Sequence, residues 1–189
     1  MRNSPHMSTN PESPIILLGY SMGGLVAKKA YVLSQYVPVF KNRIQAIFFL
    51  ATPHRGSDYA ATLNKILAIS GLMSSRGYIT DLTTGSTSTQ TINDDFGKLA
   101  SKLLLFSFYE TQRMSIGIST CLIVEKHSAV LGYSNERVQY LNAKHREICK
   151  FHSPDDPNYN TVKNALVSAT EDLLVTGEMY RGFLRSPQH

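Results

Sequence analysis

The chain has few cysteines and no long apolar run. Its two cysteines, Cys121 and Cys149, cannot form a disulfide framework, and neither has the spacing of a metal ligand. We therefore expect reduced, packed thiols and no bound metal. The longest purely apolar runs have four or five residues, such as IFFLA, and are too short to span a membrane. Because the polar, proline-broken N-terminus has no hydrophobic signal region, we expect a soluble intracellular protein located in the cytoplasm.

Charge of one sign is not concentrated anywhere along the chain. The net charge is +5, from 19 Lys and Arg against 14 Asp and Glu, yet the basic residues are scattered in pairs such as Lys28-Lys29. No basic stripe with interleaved aromatic residues is present, so we expect no nucleic-acid partner. We interpret Lys28 and Lys29 as part of a solvated helix face.

The clearest motif is IILLGYSMGG at residues 15–24, where an apolar run ends in a serine between glycines. By chance alone, G-x-S-x-G occurs in about one chain in sixteen of this length. The setting is more specific, because an apolar strand precedes the motif and a helix-competent stretch, LVAKKAYVLSQY, follows it. This order predicts a nucleophile elbow with Ser21 at the turn and crowding that only glycine tolerates at Gly19 and Gly23. The amide of Met22 would face a developing oxyanion. The alternative is a glycine-rich turn that binds phosphate or nothing.

The rest of the chain alternates strand and helix patterns. Residues 44–51 are almost continuously apolar, as in a parallel strand buried on both faces. The patterns predict strands at 15–18, 44–51, 103–110, 121–125 and 137–143, and helices at 25–36, 59–74 and 158–174. This order predicts an α/β layer fold.

One domain is expected at residues 14–175, between a disordered segment at 1–13 and a tail at 176–189. A Ser/Thr-rich insertion at 75–95 interrupts the domain. It is either a lid over the site or a disordered surface loop.

A serine nucleophile needs a histidine base and a carboxylate that orients it. In α/β hydrolases these partners follow the serine in the order acid, histidine, each at the carboxyl end of a strand. His145 directly follows the last predicted strand, although it could also be an exposed residue of a first helical turn. Glu110 ends the long strand LLLFSFYE and Glu125 ends CLIVE. We favour Glu110 because the longer strand is the more rigid platform, with Glu125 as the alternative acid.

Other residues are expected to line the site without acting in it. His54 also follows a strand, but it precedes both candidate acids, so we place it in the lining. We place Gly19, Tyr20 and Gly23 there as well.

Five stretches in a fixed order resemble one known family. PIILLGYSMGGLVAKKA, IFFLATPHRGS, SFYET, SAVLGYSNE and LNAKHREICKF are similar to the lipase-like α/β hydrolases related to GPI inositol-deacylases and to serine-active-site-containing proteins, in their fungal form. The resemblance covers most of residues 14–152. It implies a three-layer α/β-hydrolase fold with Ser21 as nucleophile, His145 as base and Glu110 as acid.

The resemblance also implies the chemistry and the partners. We expect carboxylic or acyl-lipid esters as substrates and no cofactor. In this family similar domains stand alone or join larger signalling proteins, and an association with an organelle or a membrane surface is also expected of some members.

One departure from the family pattern concerns the start of the chain. Several strands normally precede the elbow, and one of their loops supplies a second oxyanion amide. Only 14 residues precede the elbow strand here, so we expect a partial fold, the C-terminal half of the sheet, with an exposed edge that promotes association. Losing one oxyanion donor costs about a hundredfold to a thousandfold in turnover. The sequence thus favours a serine esterase, with a catalytically weak interaction module or an inactive truncated paralogue as the alternative.

Overall fold

The structure is a computed structural model that describes residues 13–54, 59–70 and 86–185. In chain order, its strands are β1 Ile15–Tyr20, β2 Ile44–Leu50, β3 Leu104–Glu110, β4 Met114–Ile116, β5 Ser119–Cys121 and β6 Glu136–Leu141. Its α-helices are α1 Gly23–Ser34, α2 Tyr59–Ser70, α3 Ser86–Gly97, α4 Lys126–Ala129 and α5 Pro157–Arg185. Short 3-10 helices occupy Ala100–Lys102 and His145–Glu147.

Four of the strands form a parallel sheet in the order β1, β2, β3, β6. Strands β4 and β5 pair with each other as a separate antiparallel ribbon. Since parallel strands have their carboxyl ends at the same edge, the loops that follow β1, β2, β3 and β6 all emerge on one side of the molecule.

Helices cover both faces of this sheet. On one face, the stacked rings of Phe48 and Phe106 pack with Val162 and Ala165 of α5. On the other, Phe49 and neighbouring strand residues pack with α1 and α3, for example with Tyr31 and Phe96. Successive strand residues therefore alternate between two apolar layers, which is why β2 and β3 are apolar without interruption. The predicted α/β fold, a parallel sheet flanked by helices, is confirmed.

Strand β1 lies at one edge of this sheet, with β2 as its neighbour. Its Leu18 is 55% exposed although it lies in the middle of an apolar strand.

Within the described residues, no helix is both long and apolar enough to cross a membrane.

The predicted strand at 121–125 is wrong. Cys121 ends β5, and the residues after it leave the strand conformation. The amides of Ile123 and Val124 donate instead to the carboxylate of Glu110. The segment is apolar because both side chains are buried in a cluster with Ile66 of α2.

Two predicted boundaries also differ from the structure. The Ser/Thr-rich insertion at 75–95 is helical from residue 86, where α3 begins, so that part is not a disordered surface loop. The alternative, a lid over the site, stays a prediction. Residues 75–85 of the insertion lie outside the described residues, as do the last four of the helix predicted at 59–74 and the segment 1–12. Helix α5 continues to Arg185, through the end of the domain placed at residue 175.

The interpretation of Lys28 as a solvated residue is also wrong. Its side chain is 1% exposed, and its Nζ lies 5.3 Å from the centre of the Phe96 ring and 2.7 Å from Oδ1 of Asn93 in α3. Burial lowers the pKa of this lysine from 10.5 to about 7, against a smaller raising effect of Glu136.

We predict that the free energy of unfolding rises with pH because of Lys28. Between pH 7 and 10.5 the unfolded chain keeps a proton on this lysine that the folded chain has released, so folding becomes more favourable as the proton is lost, by up to about 1.4 kcal/mol per pH unit. Urea unfolding across this range should show the rise in the wild type and its loss in Lys28→Met. The matched variant of the exposed neighbour, Lys29→Met, should keep it. An identical pH dependence in all three proteins would contradict the buried position of Lys28.

Candidate active site

The candidate residues meet at the carboxyl edge of the sheet. Ser21 directly follows β1, Glu110 is the last residue of β3, and His145 follows β6 as the first residue of a 3-10 helix. Ala143 and Ile148, on either side of His145, are buried in the apolar layer against α5. The imidazole is therefore held by a packed segment, and His145 is 1% exposed rather than a solvated helix residue.

Ser21, His145 and Glu110 form a continuous hydrogen-bonded row. The Nδ1 atom of His145 lies 2.5 Å from Oε2 of Glu110, and its Nε2 atom lies 3.0 Å from Oγ of Ser21. All three side chains are buried. An ionised carboxylate can only accept, so this pairing assigns the ring proton to Nδ1 and leaves Nε2 free to accept the serine hydroxyl proton.

The carboxylate of Glu110 has further partners. Its Oε1 atom accepts the amides of Ile123 at 2.6 Å and Val124 at 3.2 Å, while Oε2 faces the imidazole. A buried carboxylate is tolerated only when such donors replace its lost water. Glu125 lies elsewhere: its carbonyl accepts the amides of Ser128 and Ala129 in α4, and no contact among the described residues joins its carboxylate to His145.

The backbone at Ser21 is strained. Its φ angle is 51°, in the left-handed region that non-glycine residues avoid. The Ser21 amide donates to the carbonyl of Leu50 at 2.9 Å, and the Ser21 carbonyl accepts the amide of Gly24. Ala51, where β2 ends, also has a positive φ of 45°. Strain of about 1–3 kcal/mol per residue persists only where the surroundings hold it, and it is concentrated at functional sites.

Close packing at the turn explains two glycines. A Cβ atom at Gly19 would lie 2.5 Å from the Cα of Gly24, backbone against backbone. At Gly24, a Cβ atom would lie 2.1 Å from Oγ1 of the buried Thr52 and 2.7 Å from its Cβ. The predicted crowding is therefore correct for Gly19 and wrong for Gly23, where an added Cβ meets nothing within 4 Å. The sequence analysis missed Gly24.

Met22, the predicted oxyanion donor, and Tyr20, a predicted lining residue, both lie next to Ser21 in the chain. Met22 is the N-cap of α1, so its amide follows the serine at the start of the helix. The ring of Tyr20 lies 5.2 Å from the imidazole of His145, and burial raises the pKa of its hydroxyl to about 12, with smaller effects of Cys149, Glu110 and Arg146.

His54 is buried with its ring edge-on to Phe49. Its amide donates to Ser128 and its carbonyl accepts from Asn93. Its role in lining the site stays a prediction.

Within the described residues, no cluster of three or more His, Cys, Asp or Glu could hold a metal ion.

The chain matches a known family model over the part that contains the strand-to-helix turn at Ser21. Residues 5–102 match the PGAP1-like alpha/beta domain, which is more than half of the chain. The chain belongs to the PGAP1-like alpha/beta family. This family consists of lipase- and esterase-like hydrolases and includes PGAP1, a GPI inositol-deacylase. The resemblance to GPI inositol-deacylases seen in the sequence is confirmed at the level of the family.

Curated relatives point in the same direction. The chain is 29% identical to Protein SERAC1 of Mus musculus over 148 residues, covering 74% of this chain and 21% of that protein. Protein SERAC1 of Homo sapiens and that of Danio rerio are each 28% identical to the chain, and each match covers 74% of this chain and 21% of that protein. The chain thus spans about a fifth of the length of these relatives. No solved structure matches it. The PGAP1-like match ends before Glu110 and His145, so the assignment of these two residues depends on their geometry.

We predict that the turn depends on Gly24 and not on Gly23. Gly24→Ala should lower the free energy of unfolding by about 1 to 3 kcal/mol, because the β-branched Thr52 cannot move away from the new methyl group. Gly23→Ala adds the same methyl group one residue earlier, in open space, and should be nearly neutral. Chemical denaturation of both variants would compare them directly. An equal loss of stability in both would show that the packing of Thr52 is not the reason.

Proposed function

We propose that the chain is a serine hydrolase of carboxylic or lipid esters that acts through an acyl-enzyme on Ser21. The observation that supports this most strongly is the buried row from Ser21 Oγ through His145 to Glu110. A serine hydroxyl is a weak nucleophile until a base takes its proton. Here the base lies at hydrogen-bonding distance, and its other nitrogen lies against a carboxylate, the arrangement that acyl transfer requires.

The proposed reaction has two halves. Ser21 Oγ attacks the ester carbonyl carbon while its proton passes to Nε2 of His145, and the bond from carbon to the alcohol oxygen then breaks as Nε2 returns the proton to the leaving alcohol. Water attacks the acyl-serine by the same route, releasing a carboxylic acid and restoring Ser21. Glu110 stays ionised throughout and stabilises the imidazolium.

The carbonyl oxygen becomes negatively charged in both halves. The amide of Met22 is a suitable donor for it, because it follows Ser21 at the start of α1, where the first helical amides have no carbonyl partner within the helix. The N-terminal end of the helix also carries partial positive charge. Each such donor is worth about a hundredfold to a thousandfold in turnover.

Exposed apolar side chains on β1 and α1 favour a second candidate, a hydrolase-like module that acts by binding other proteins. Leu18 of the edge strand is exposed, and Val26 and Leu33, seven residues apart on one face of α1, are 69% and 51% exposed. A surface of this kind promotes association. The two candidates differ in whether Ser21 is activated.

The first prediction from this proposal concerns the nucleophile. A fluorophosphonate probe should label the wild-type chain, and Ser21→Ala should abolish labelling because it removes the attacking oxygen. Ser107→Ala is a matched control, since it removes a buried hydroxyl from the middle of β3. It should label normally. A folded wild-type chain that is not labelled would favour the binding module, and labelling of Ser21→Ala would place the nucleophile at another residue.

The second prediction separates the two acids. Glu110→Gln should lower kcat on para-nitrophenyl butyrate by about ten-thousandfold, because the new amide group donates to Nδ1 and forces the wrong histidine tautomer. Glu125→Gln should leave kcat nearly unchanged, and thermal unfolding would verify that both variants are folded. The opposite result would transfer the role to Glu125.

A further inference from the structure

A cleft of about 380 Å³ opens at the carboxyl edge of the sheet. One wall is the chain that enters β4, and the other is the 3-10 helix that begins at His145. Its lining consists of Arg113, Met114, Ser115, Lys144, Arg146 and Glu147.

The cleft is adjacent to the candidate active site on both walls. Lys144 and Arg146 are the chain neighbours of His145, and Arg113 lies three residues after Glu110. Met114 packs against the same buried cluster as Met22, the residue after Ser21. Burial raises the pKa of Tyr20, whose ring centre lies 5.2 Å from that of His145, and the charge of Arg146 acts against that rise.

The charge of the lining is strongly one-sided. Three cations, Arg113, Lys144 and Arg146, face one carboxylate, Glu147, and all four side chains are exposed. No ion pair within the described part of the chain involves any of the three cations. Three cations that share a cleft with a single carboxylate repel one another, and a bound anion relieves that repulsion.

We propose that this cleft binds a phosphate or carboxylate group carried by the ester substrate, so that the ester itself is presented to Ser21. The inference rests on the proposed hydrolase function and narrows its substrate class to anionic esters. Arginine guanidinium groups bind the paired oxygens of either group through two parallel hydrogen bonds, and Lys144 adds a point charge. The Ser115 hydroxyl supplies a neutral donor beside them.

Turnover of matched esters is the first test. We compare kcat/KM for para-nitrophenyl butyrate with that for two anionic esters, mono-para-nitrophenyl glutarate and the para-nitrophenyl ester of phosphoglycolate, using the full chain. The wild type should prefer at least one anionic ester, and the two anionic esters distinguish a carboxylate from a phosphate. Arg146→Gln should reduce the ratio of anionic to neutral kcat/KM by about tenfold or more. Raising the salt concentration should reduce the wild-type ratio as well.

Lys41→Gln is the matched control. It removes one exposed positive charge from the chain that precedes β2, at the opposite end of the parallel strands, so it should keep the wild-type ratio. An unchanged ratio in Arg146→Gln, or an equal fall in Lys41→Gln, would overturn the proposal.

A binding measurement separates this proposal from the hydrolase function. Inorganic phosphate is titrated into the full-length Ser21→Ala chain, and the NMR shifts of the amides at 144–147 are followed. A saturable shift that Arg146→Gln abolishes and Lys41→Gln retains supports the anion site even if no ester is turned over, in which case the hydrolase proposal alone fails. If none of the three esters is turned over and phosphate causes no saturable shift, the anion site is wrong too.

Discussion

The buried carboxylate of Glu110 is the interaction on which the candidate site depends. It accepts the Ile123 and Val124 amides on one oxygen and faces the imidazole of His145 with the other. These donors come from two separate parts of the chain, the segment after β5 and the segment after β6, while the carboxylate itself belongs to the last residue of β3. Because a buried charge without donors costs several kcal/mol, the carboxylate holds the three parts together as well as orienting the histidine.

Close backbone packing at the turn is the second feature on which the candidate site depends. Ser21 keeps a left-handed backbone conformation because its amide is bonded to β2 and because Gly19 and Gly24 approach within contact distance behind it. Thr52, at the end of the neighbouring strand, fills the space beside Gly24 and donates its hydroxyl to the Gly19 carbonyl. Ser21 is thus positioned by strands β1 and β2, whereas His145 and Glu110 are positioned by β6 and β3.

Local patterns in the sequence were sufficient to predict the parts of the site that depend on chain order. The elbow follows from the succession of strand, glycine, serine and helix. His145 and Glu110 follow from the rule that such side chains stand where strands end. The structure brings Ser21, Glu110 and His145 together. The carbonyl of Glu125 accepts amides of α4 instead, and no contact in the described part of the chain joins its carboxylate to His145.

Three of the errors share one physical cause, which is contact between residues distant in sequence. Ile123 and Val124 look like a strand until a carboxylate 13 residues earlier takes their amides. Lys28 looks solvated until α3 covers it with Phe96 and Asn93. The crowding at Gly24 arises from Thr52, which lies just after the neighbouring strand β2. None of these contacts has a signal in the local sequence pattern.

The central claim is that Glu110 fixes the proton of His145 on Nδ1 so that Nε2 can take the proton of Ser21. The most direct test is nitrogen-15 NMR of the labelled histidine side chains in the resting full chain, with His145→Gln to assign the signals. The account predicts a neutral His145 ring protonated at Nδ1, and a change to the Nε2-protonated form in Glu110→Gln. A wild-type His145 protonated at Nε2, or one that Glu110→Gln leaves unchanged, would contradict it.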